Sequence, residues 1–192
     1  MKVSRAQAEK NRDRVIDVAA ALFRERGFDG IGLASLMKAA GLTHGGFYGQ
    51  FKSKEDLAAQ ASGRALAENL QKWSSVIDGA AGDPLREIVA FYLSENHKDS
   101  PGQGCALAAL GADAARHGGA LRSTFTEGVG VYLDILSKMM TGRSAAEKRR
   151  KAMATLAEMV GAIVLARAVD DADLSRGILE AAAKDLMADR GR

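Results

Sequence analysis

The chain has 192 residues, of which 47% are hydrophobic, 5% aromatic and two are proline, so it is large enough for one ordinary domain and has a composition typical of a helical protein. The single cysteine excludes an internal disulfide framework and a cysteine-rich zinc site, and no apolar window reaches the roughly 18 residues that a membrane span needs. The net charge of +3 belongs to the N-terminal part, because residues 1–55 hold ten Lys and Arg against six Asp and Glu.

The N-terminal part of the chain is predicted to form three short helical segments. Apolar residues repeat at the helical period from about residue 6 to residue 26, and Gly27 can end this first helix. A second helix is predicted over 33–40, with Gly41 at its end, and Thr43 offers an N-cap oxygen to a third short segment. Two short helices joined by a tight glycine turn are typical of a helix-turn-helix.

The remainder of the chain is predicted as longer helices separated by short breaks. Ser53 can cap a long fourth helix, with Asp56 at the third position, and Pro84 can occupy the first turn of the next. A loop is expected over 99–104, where Pro and Gly cluster. Further helices are expected at about 105–117, 120–140, 145–168 and 172–189.

These elements predict an all-α protein, since no strand-like alternation persists at useful length. We divide the chain into an N-terminal three-helix domain with the helix-turn-helix at 1–53 and a C-terminal helical domain at 54–192. The positive excess of the first part suggests a polyanion as its partner, and a solvated basic helix face is the alternative. Without a basic and apolar leader, the protein is expected in the cytoplasm.

Part of the chain carries a family resemblance. The segments Ala40-Gly41-Leu42-Thr43, Phe47-Tyr48 and Phe51-Lys52-Ser53-Lys54-Glu55-Asp56-Leu57 resemble, in order and spacing, the signature of the TetR family of bacterial transcriptional repressors. The resemblance covers roughly residues 10–57. It implies a regulator without enzymatic activity, cofactor or metal, which binds a palindromic operator on double-stranded DNA as a homodimer and leaves it when a small-molecule effector binds.

The candidate DNA contacts follow from the helix-turn-helix. A helix carrying Gly45 can approach the floor of the major groove closely, and Thr43 and His44 at its start are the candidates for base edges. Tyr48 and Lys54 match family positions that contact phosphate, although Tyr48 has an alternative as a core residue. Arg5 of the N-terminal arm is either a further phosphate contact or a solvated charge.

Cys105 is predicted to open a helix after the 99–104 loop. Free amides at a helix start favour the thiolate that a reactive cysteine requires. The Gly-Cys-x-Leu-x-x-Leu-Gly run at 104–111 resembles one in a TetR subgroup that includes sensors of electrophiles or oxidants, whereas other members respond to aromatic ligands. An inert, buried cysteine is the alternative. A thiol enzyme would need a base, and neither His97 nor His117 lies at a spacing that dictates contact.

If the resemblance holds, the effector pocket lies among the C-terminal helices and takes an apolar or electrophilic molecule. Its candidate lining residues are equally explicable as core. Together with Cys105, the candidate ligand-binding or sensing residues are Trp73, Phe91, Tyr92, Leu107 and Phe125.

A homodimer is expected through the last two helices, whose apolar faces contain small residues that permit close approach. Burial inside the protomer is the alternative for each position. The candidate interface residues are Ala152, Leu156, Met159, Val160, Ile163, Val164, Leu174, Ile178, Ala181, Ala182 and Leu186. Two rival functions remain open, a DNA-binding or interaction protein without sequence preference and a thiol enzyme that uses Cys105.

Overall fold

The computed structural model describes residues 4–188, which form nine α-helices and no β-strand, as predicted. Residues 1–3 and 189–192, at the outer ends of the two predicted domains and of the last predicted helix, lie outside the described residues. The helices are α1 (Arg5–Arg26), α2 (Leu33–Ala39), α3 (Lys54–Asp78), α4 (Pro84–Tyr92), α5 (Glu95–Asp99), α6 (Ala106–His117), α7 (Gly119–Met139), α8 (Ala145–Ala168) and α9 (Ala172–Ala188).

Two capping signals predicted from the sequence are present in the structure, one at the end of α1 and one at the start of α3. Gly27 adopts a φ of 74° directly after α1, a left-handed conformation that glycine reaches without steric cost. At the start of α3 the Ser53 hydroxyl accepts from the backbone N–H of Asp56 at 3.1 Å, and the Asp56 carboxylate accepts from the N–H of Lys52 at 3.0 Å. This reciprocal capping fixes the direction in which the 25-residue α3 leaves the DNA-binding domain.

Two local predictions are wrong. Thr43 stands at the N-cap position of the third segment, but its side chain makes no capping hydrogen bond, and only a 3-10 turn forms at His44–Gly46 before the chain continues through turns to Phe51. The expected loop over 99–104 is also more ordered than predicted. It overlaps α5, which Ser94 caps through the N–H of His97, and contains a second 3-10 turn at Pro101–Gln103.

The helices pack around α3, which contacts both the N-terminal and the C-terminal part. It packs on both α1 and α7, and α7 in turn packs on α8. Large apolar side chains with an exposed fraction of at most 1% fill the N-terminal core, namely Phe23, Leu36, Met37, Phe47 and Leu57. Between residues 4 and 188, no helix combines the length and apolar character that crossing a bilayer requires.

Candidate DNA-binding surface and effector site

The 3-10 turn at His44–Gly46 projects from the N-terminal domain. Thr43, His44 and Gly45 are exposed, and Tyr48 has an exposed fraction of 69%. The ring of Tyr48 stands edge-on to His44, with centroids 5.7 Å apart, and edge-on to the buried Phe47 at 5.4 Å. Phe47 therefore anchors the turn while Tyr48 and His44 face outward, so the alternative of Tyr48 as a core residue is wrong. A Cβ on Gly45 would meet nothing within 4 Å, so the surface here is open.

Beside this turn lies the N-terminus of α3. Lys54, the first residue of α3, is half-buried, and Ser53 satisfies one backbone N–H of the first turn. The hydrogen bond from the N–H of Lys52 holds the pKa of the Asp56 carboxyl below its ordinary value, so this carboxylate stays ionised as a capping group. The first turn of α3 thus combines the positive end of the helix dipole and Lys54 with two carboxylates, Glu55 and Asp56, six to eight residues after Tyr48 in the chain.

The predicted arm contact Arg5 lies at the start of α1. Its side chain is 94% exposed and pairs with Glu9 at 3.3 Å, an i, i+4 pair on the same helix. Arg12, two turns further along α1, instead hydrogen-bonds Gln60 of α3, and its guanidinium lies 5.3 Å from the centroid of Phe51. The roles of Thr43, His44, Gly45, Tyr48, Lys54 and Arg5 in DNA binding stay predictions.

Cys105 lies in a buried cluster of polar aromatic residues. Its exposed fraction is 0%, as are those of Trp73, Tyr92 and Tyr132. The Trp73 ring is edge-on to both tyrosines, with centroids 4.9 Å from Tyr132 and 6.1 Å from Tyr92. Burial raises the pKa of both tyrosine hydroxyls, and the neighbouring Cys105 adds to both shifts. Three predicted site residues from three different helical regions, Trp73, Tyr92 and Cys105, thus come together.

Two polar atoms of this cluster are unsatisfied. Tyr132 donates to Asn69 Oδ1 at 2.8 Å, but Trp73 Nε1 and Tyr92 Oη are buried and make no hydrogen bond of good geometry to any group in residues 4–188. A buried donor without an acceptor costs free energy, about 1–3 kcal/mol per group. The cluster therefore has two donors available for a polar group that enters it.

His97 connects this cluster to the backbone. Its Nδ1 lies 2.6 Å from the carbonyl oxygen of Tyr92, to which it must donate, and its Nε2 accepts from the N–H of Cys105 at 2.9 Å. Burial lowers the pKa of His97 to about 4, so the ring is neutral near pH 7, as this bonding requires. Both ring nitrogens are thus engaged by backbone groups, which does not favour His97 as a base for the Cys105 thiol.

Leu107 and Phe125 lie apart from the cysteine cluster, along a groove of about 590 Å³ between α6, α7 and α8. The groove is lined mainly by apolar side chains, with Arg122 and Thr126 among its polar lining residues. Its size is that of a small-molecule site. Phe91, the remaining candidate, is half-buried on α4 and joins neither Leu107 nor Phe125 in lining this groove. Of the six candidate residues, three thus lie in the cysteine cluster, two line the groove, and Phe91 belongs to neither.

Comparison with known proteins identifies the N-terminal domain. Residues 15–61 match the family model described as bacterial regulatory proteins, tetR family. This match shows a TetR-type N-terminal domain within residues 15–61.

Relatives and solved structures extend the similarity. The chain is 26% identical over 132 residues to the HTH-type transcriptional repressor NemR of Escherichia coli K12, a match that covers 67% of this chain and 66% of NemR. It is 31% identical over 93 residues to the transcriptional regulator AcrR of Shigella flexneri, across 47% of this chain and 43% of AcrR. The chain thus spans less than two thirds of the curated relatives it matches.

The fold similarity covers nearly the whole chain. The crystal structure of a TetR-family transcriptional regulator from Cytophaga hutchinsonii matches with a TM-score of 0.79 and 24% identity, covering 98% of this chain and 97% of that one. The reduced form of E. coli NemR matches with a TM-score of 0.76 and 24% identity, covering 92% and 95%. At these identities the comparison shows a shared TetR-like fold.

The exposed face of α8 differs from the one that the sequence predicts as the interface. The candidate interface residues Ala152, Leu156, Met159 and Ile163 are buried inside the protomer, because the side of α8 that bears them packs on α7 and α9. The opposite side is also apolar and lies open. We call it the α8 stripe, and it consists of Met153, Ala154, Ala157, Gly161, Val164, Leu165 and Ala168.

The sequence reading missed several residues around Cys105. One of them is Arg24, whose side chain is 2% exposed and donates to the carbonyl oxygen of Gly104. Asn69 and Arg167 were not singled out either. A polar residue at an apolar helix position, as Asn69 is within α3, is the one local signal that could have indicated a buried polar cluster.

Proposed function

We propose that the chain is an effector-responsive transcriptional regulator, in the first place a repressor, which binds a palindromic operator as a homodimer. The observation that carries the proposal is the exposed turn with His44 and Tyr48 beside the capped N-terminus of α3. Such a turn offers side chains to base edges, and the adjacent helix N-terminus offers amides to phosphate. The similarity to NemR, a transcriptional repressor, and to AcrR, a transcriptional regulator, supports this assignment.

The α8 stripe supports the homodimer. Met153, Val164 and Leu165 on α8 and Leu174 at the start of α9 are exposed by 42–57%, and no charged residue lies within the stripe. A contiguous apolar surface of this kind marks an interaction site, and a two-fold axis would pair it with itself. A dimer carries two reading turns, which is why its operator is expected to be palindromic.

Selection from a random DNA pool tests sequence-specific binding. We expect enrichment of a palindrome whose affinity falls with salt by roughly 0.9 log units per log unit for each phosphate neutralised. Replacing Lys54 with alanine should weaken binding to all sequences alike and reduce this slope by about 1, whereas His44→Ala should relax selectivity at one base position. The matched control is Lys138→Ala, an exposed lysine at the far end of α7.

Two outcomes would contradict this assignment. Enrichment of no sequence, with equal affinity for random duplexes, would favour a DNA-binding protein without sequence preference. A slope that is unchanged in Lys54→Ala would remove Lys54 from the phosphate contacts. Both are read in electrophoretic mobility shifts at several salt concentrations.

Release from DNA has two candidate triggers in this chain. An apolar effector would occupy the groove that contains Leu107 and Phe125, and an electrophile would modify Cys105. The second trigger is supported by the cluster around the thiol, where the unsatisfied donors of Trp73 and Tyr92 would meet a polar group attached to the sulfur. In either case the effector must favour a conformation that binds DNA less well.

N-ethylmaleimide tests the cysteine trigger. The thiol adds across the double bond of the maleimide, so that a carbon–sulfur bond forms and the thiol proton ends on the neighbouring carbon. Cys105 is the single cysteine of the chain and is fully buried, so the adduct must displace the packed cluster. We expect operator affinity to fall by at least about tenfold, close to 1.4 kcal/mol, in the wild type and to stay unchanged in treated Cys105→Ser.

If treated wild type and treated Cys105→Ser lose operator affinity equally, Cys105 is not the sensing residue. Adduct formation is followed by intact mass, so that lack of reaction is distinguished from lack of response. Complete modification of the wild type without any loss of operator affinity would leave Cys105 as a packing residue.

A further inference from the structure

The segment 101–105, which ends at Cys105, is hydrogen-bonded by side chains from three other helices, α1, α3 and α5; we call it the 101–105 loop. Lys72 of α3 donates to the carbonyl oxygen of Gln103 at 2.6 Å. From α5, His97 accepts from the N–H of Cys105. Arg167 of α8 does not bond the loop itself but donates to the carbonyl oxygens of His97 and Lys98 in α5, at 2.6 and 2.9 Å, and so holds the helix that carries His97. The loop is therefore a junction rather than a free connection.

The third attachment comes from the N-terminal domain. Arg24 of α1 donates through Nη1 to the carbonyl oxygen of Gly104 at 3.1 Å and through Nη2 to Glu68 of α3 at 3.1 Å, while its Nε donates to Ala20 at 2.9 Å. Its side chain is 2% exposed. Loss of a hydrogen-bond partner from a buried guanidinium strongly destabilises the folded protein. The bond from Arg24 therefore couples the position of α1 to that of the Gly104 carbonyl.

Further contacts join the end of α1 to the helix that follows the loop. The N–H of Phe28 donates to Asp113 of α6 at 3.3 Å, and the Phe28 ring stands edge-on to His117 at a centroid distance of 5.7 Å. Because Phe28 lies between α1 and α2, a displacement of the loop and α6 would be passed to the base of the helix-turn-helix.

We propose that the 101–105 loop transmits the state of the C-terminal region to the DNA-binding domain, with Arg24 as the coupling residue. The regulatory meaning of this coupling rests on the function proposed above, in which an effector controls operator affinity. The effector side of the junction is Cys105 and its cluster, and the output side is α1. Arg24 does not contact DNA or effector in this scheme; it acts through the carbonyl of Gly104.

The coupling can be measured without DNA or effector. A Cβ at Gly104 would lie 2.9 Å from the buried His97 ring and 3.0 Å from Arg167 Nη2, so Gly104→Ala displaces the loop from its α5 and α8 contacts. We expect hydrogen–deuterium exchange of the α1 amides over residues 15–26 to rise about threefold or more in this variant. In an Arg24→Met background, Gly104→Ala should raise the exchange of the α1 amides much less than it does when Arg24 is present.

The matched control uses another arginine that joins α1 to α3. Arg64 pairs with Asp13 and Asp17 and touches no residue of the loop. In an Arg64→Met background, Gly104→Ala should still raise α1 exchange as it does in the wild type. Lys72→Ala, which removes only the bond to Gln103, serves as a milder displacement if Gly104→Ala does not fold. An α1 response that is absent, or equal with and without Arg24, would overturn the proposal.

Measurements of operator binding then distinguish a failure of the coupling from a failure of the proposed function. If a palindrome is enriched, Gly104→Ala should lower its affinity at least about tenfold with Arg24 present and less than about threefold with Arg24→Met. If no palindrome is enriched, the proposed function fails while the exchange experiment still decides the coupling. A shared loss of affinity in both backgrounds would assign Arg24 to stability alone.

Discussion

Replacing Val164 with aspartate is expected to convert the homodimer into a folded monomer that binds the operator poorly. Val164 lies within the α8 stripe and is 42% exposed in the protomer, so the change removes little from the protomer core. At a two-fold interface the charge is buried twice without a partner. Because each buried, unpaired carboxylate costs about 2–3 kcal/mol of binding free energy, the dissociation constant of the dimer should rise about a thousandfold or more.

Analytical ultracentrifugation measures the change in mass, and mobility shifts with the selected palindrome measure the loss of DNA binding. Val131→Asp is the matched control, because Val131 is a similarly exposed valine, at 44%, on α7 and outside the stripe. The control should remain dimeric. If Val164→Asp keeps the mass and the operator affinity of the wild type, then the α8 stripe is not the dimer interface.

Trp73→Ala is expected to be the most destabilising single substitution in the Cys105 cluster, at about 3–5 kcal/mol. The indole is fully buried and touches the rings of Tyr92 and Tyr132, so alanine leaves a cavity beside these two rings. Urea unfolding followed by far-UV circular dichroism gives the free energy of unfolding. A loss below about 1 kcal/mol would mean that the cluster collapses readily around a smaller residue.

Trp73→Phe is the informative companion. It keeps most of the apolar volume and removes Nε1, the buried donor that lacks an acceptor within residues 4–188. We expect it to cost less than half of what Trp73→Ala costs, since the lost packing is partly offset by removal of an unsatisfied group. An equal cost for the two substitutions would indicate that the indole N–H has an acceptor and stabilises the fold.

The features that sequence predicts here are local ones. Gly27 at the end of α1, and Ser53 with Asp56 at the start of α3, act within one helical turn, so their residue types and spacing are sufficient. The turn at Thr43 is less regular than predicted, because three nearby glycines lower the helical propensity of that segment and only a 3-10 turn remains.

The surroundings of Cys105 could not be predicted in the same way. They combine side chains from α3, α4, α7 and the residues before α6, whose contacts depend on how the helices pack rather than on spacing. The face of α8 posed a different problem. Apolar residues occur on both of its sides, so periodicity alone does not tell the buried side with Met159 from the exposed side with Val164.

Trp73 is the only tryptophan in the chain, and it sits against Tyr92 and Tyr132 in the cluster that also holds the only cysteine. Its intrinsic fluorescence therefore comes from a single, shielded position next to the proposed point of modification. Shifts in emission wavelength or quenching would report events at Cys105 in the unlabelled protein, in real time and without DNA present. The fold thus supplies a built-in optical probe for screening candidate effectors.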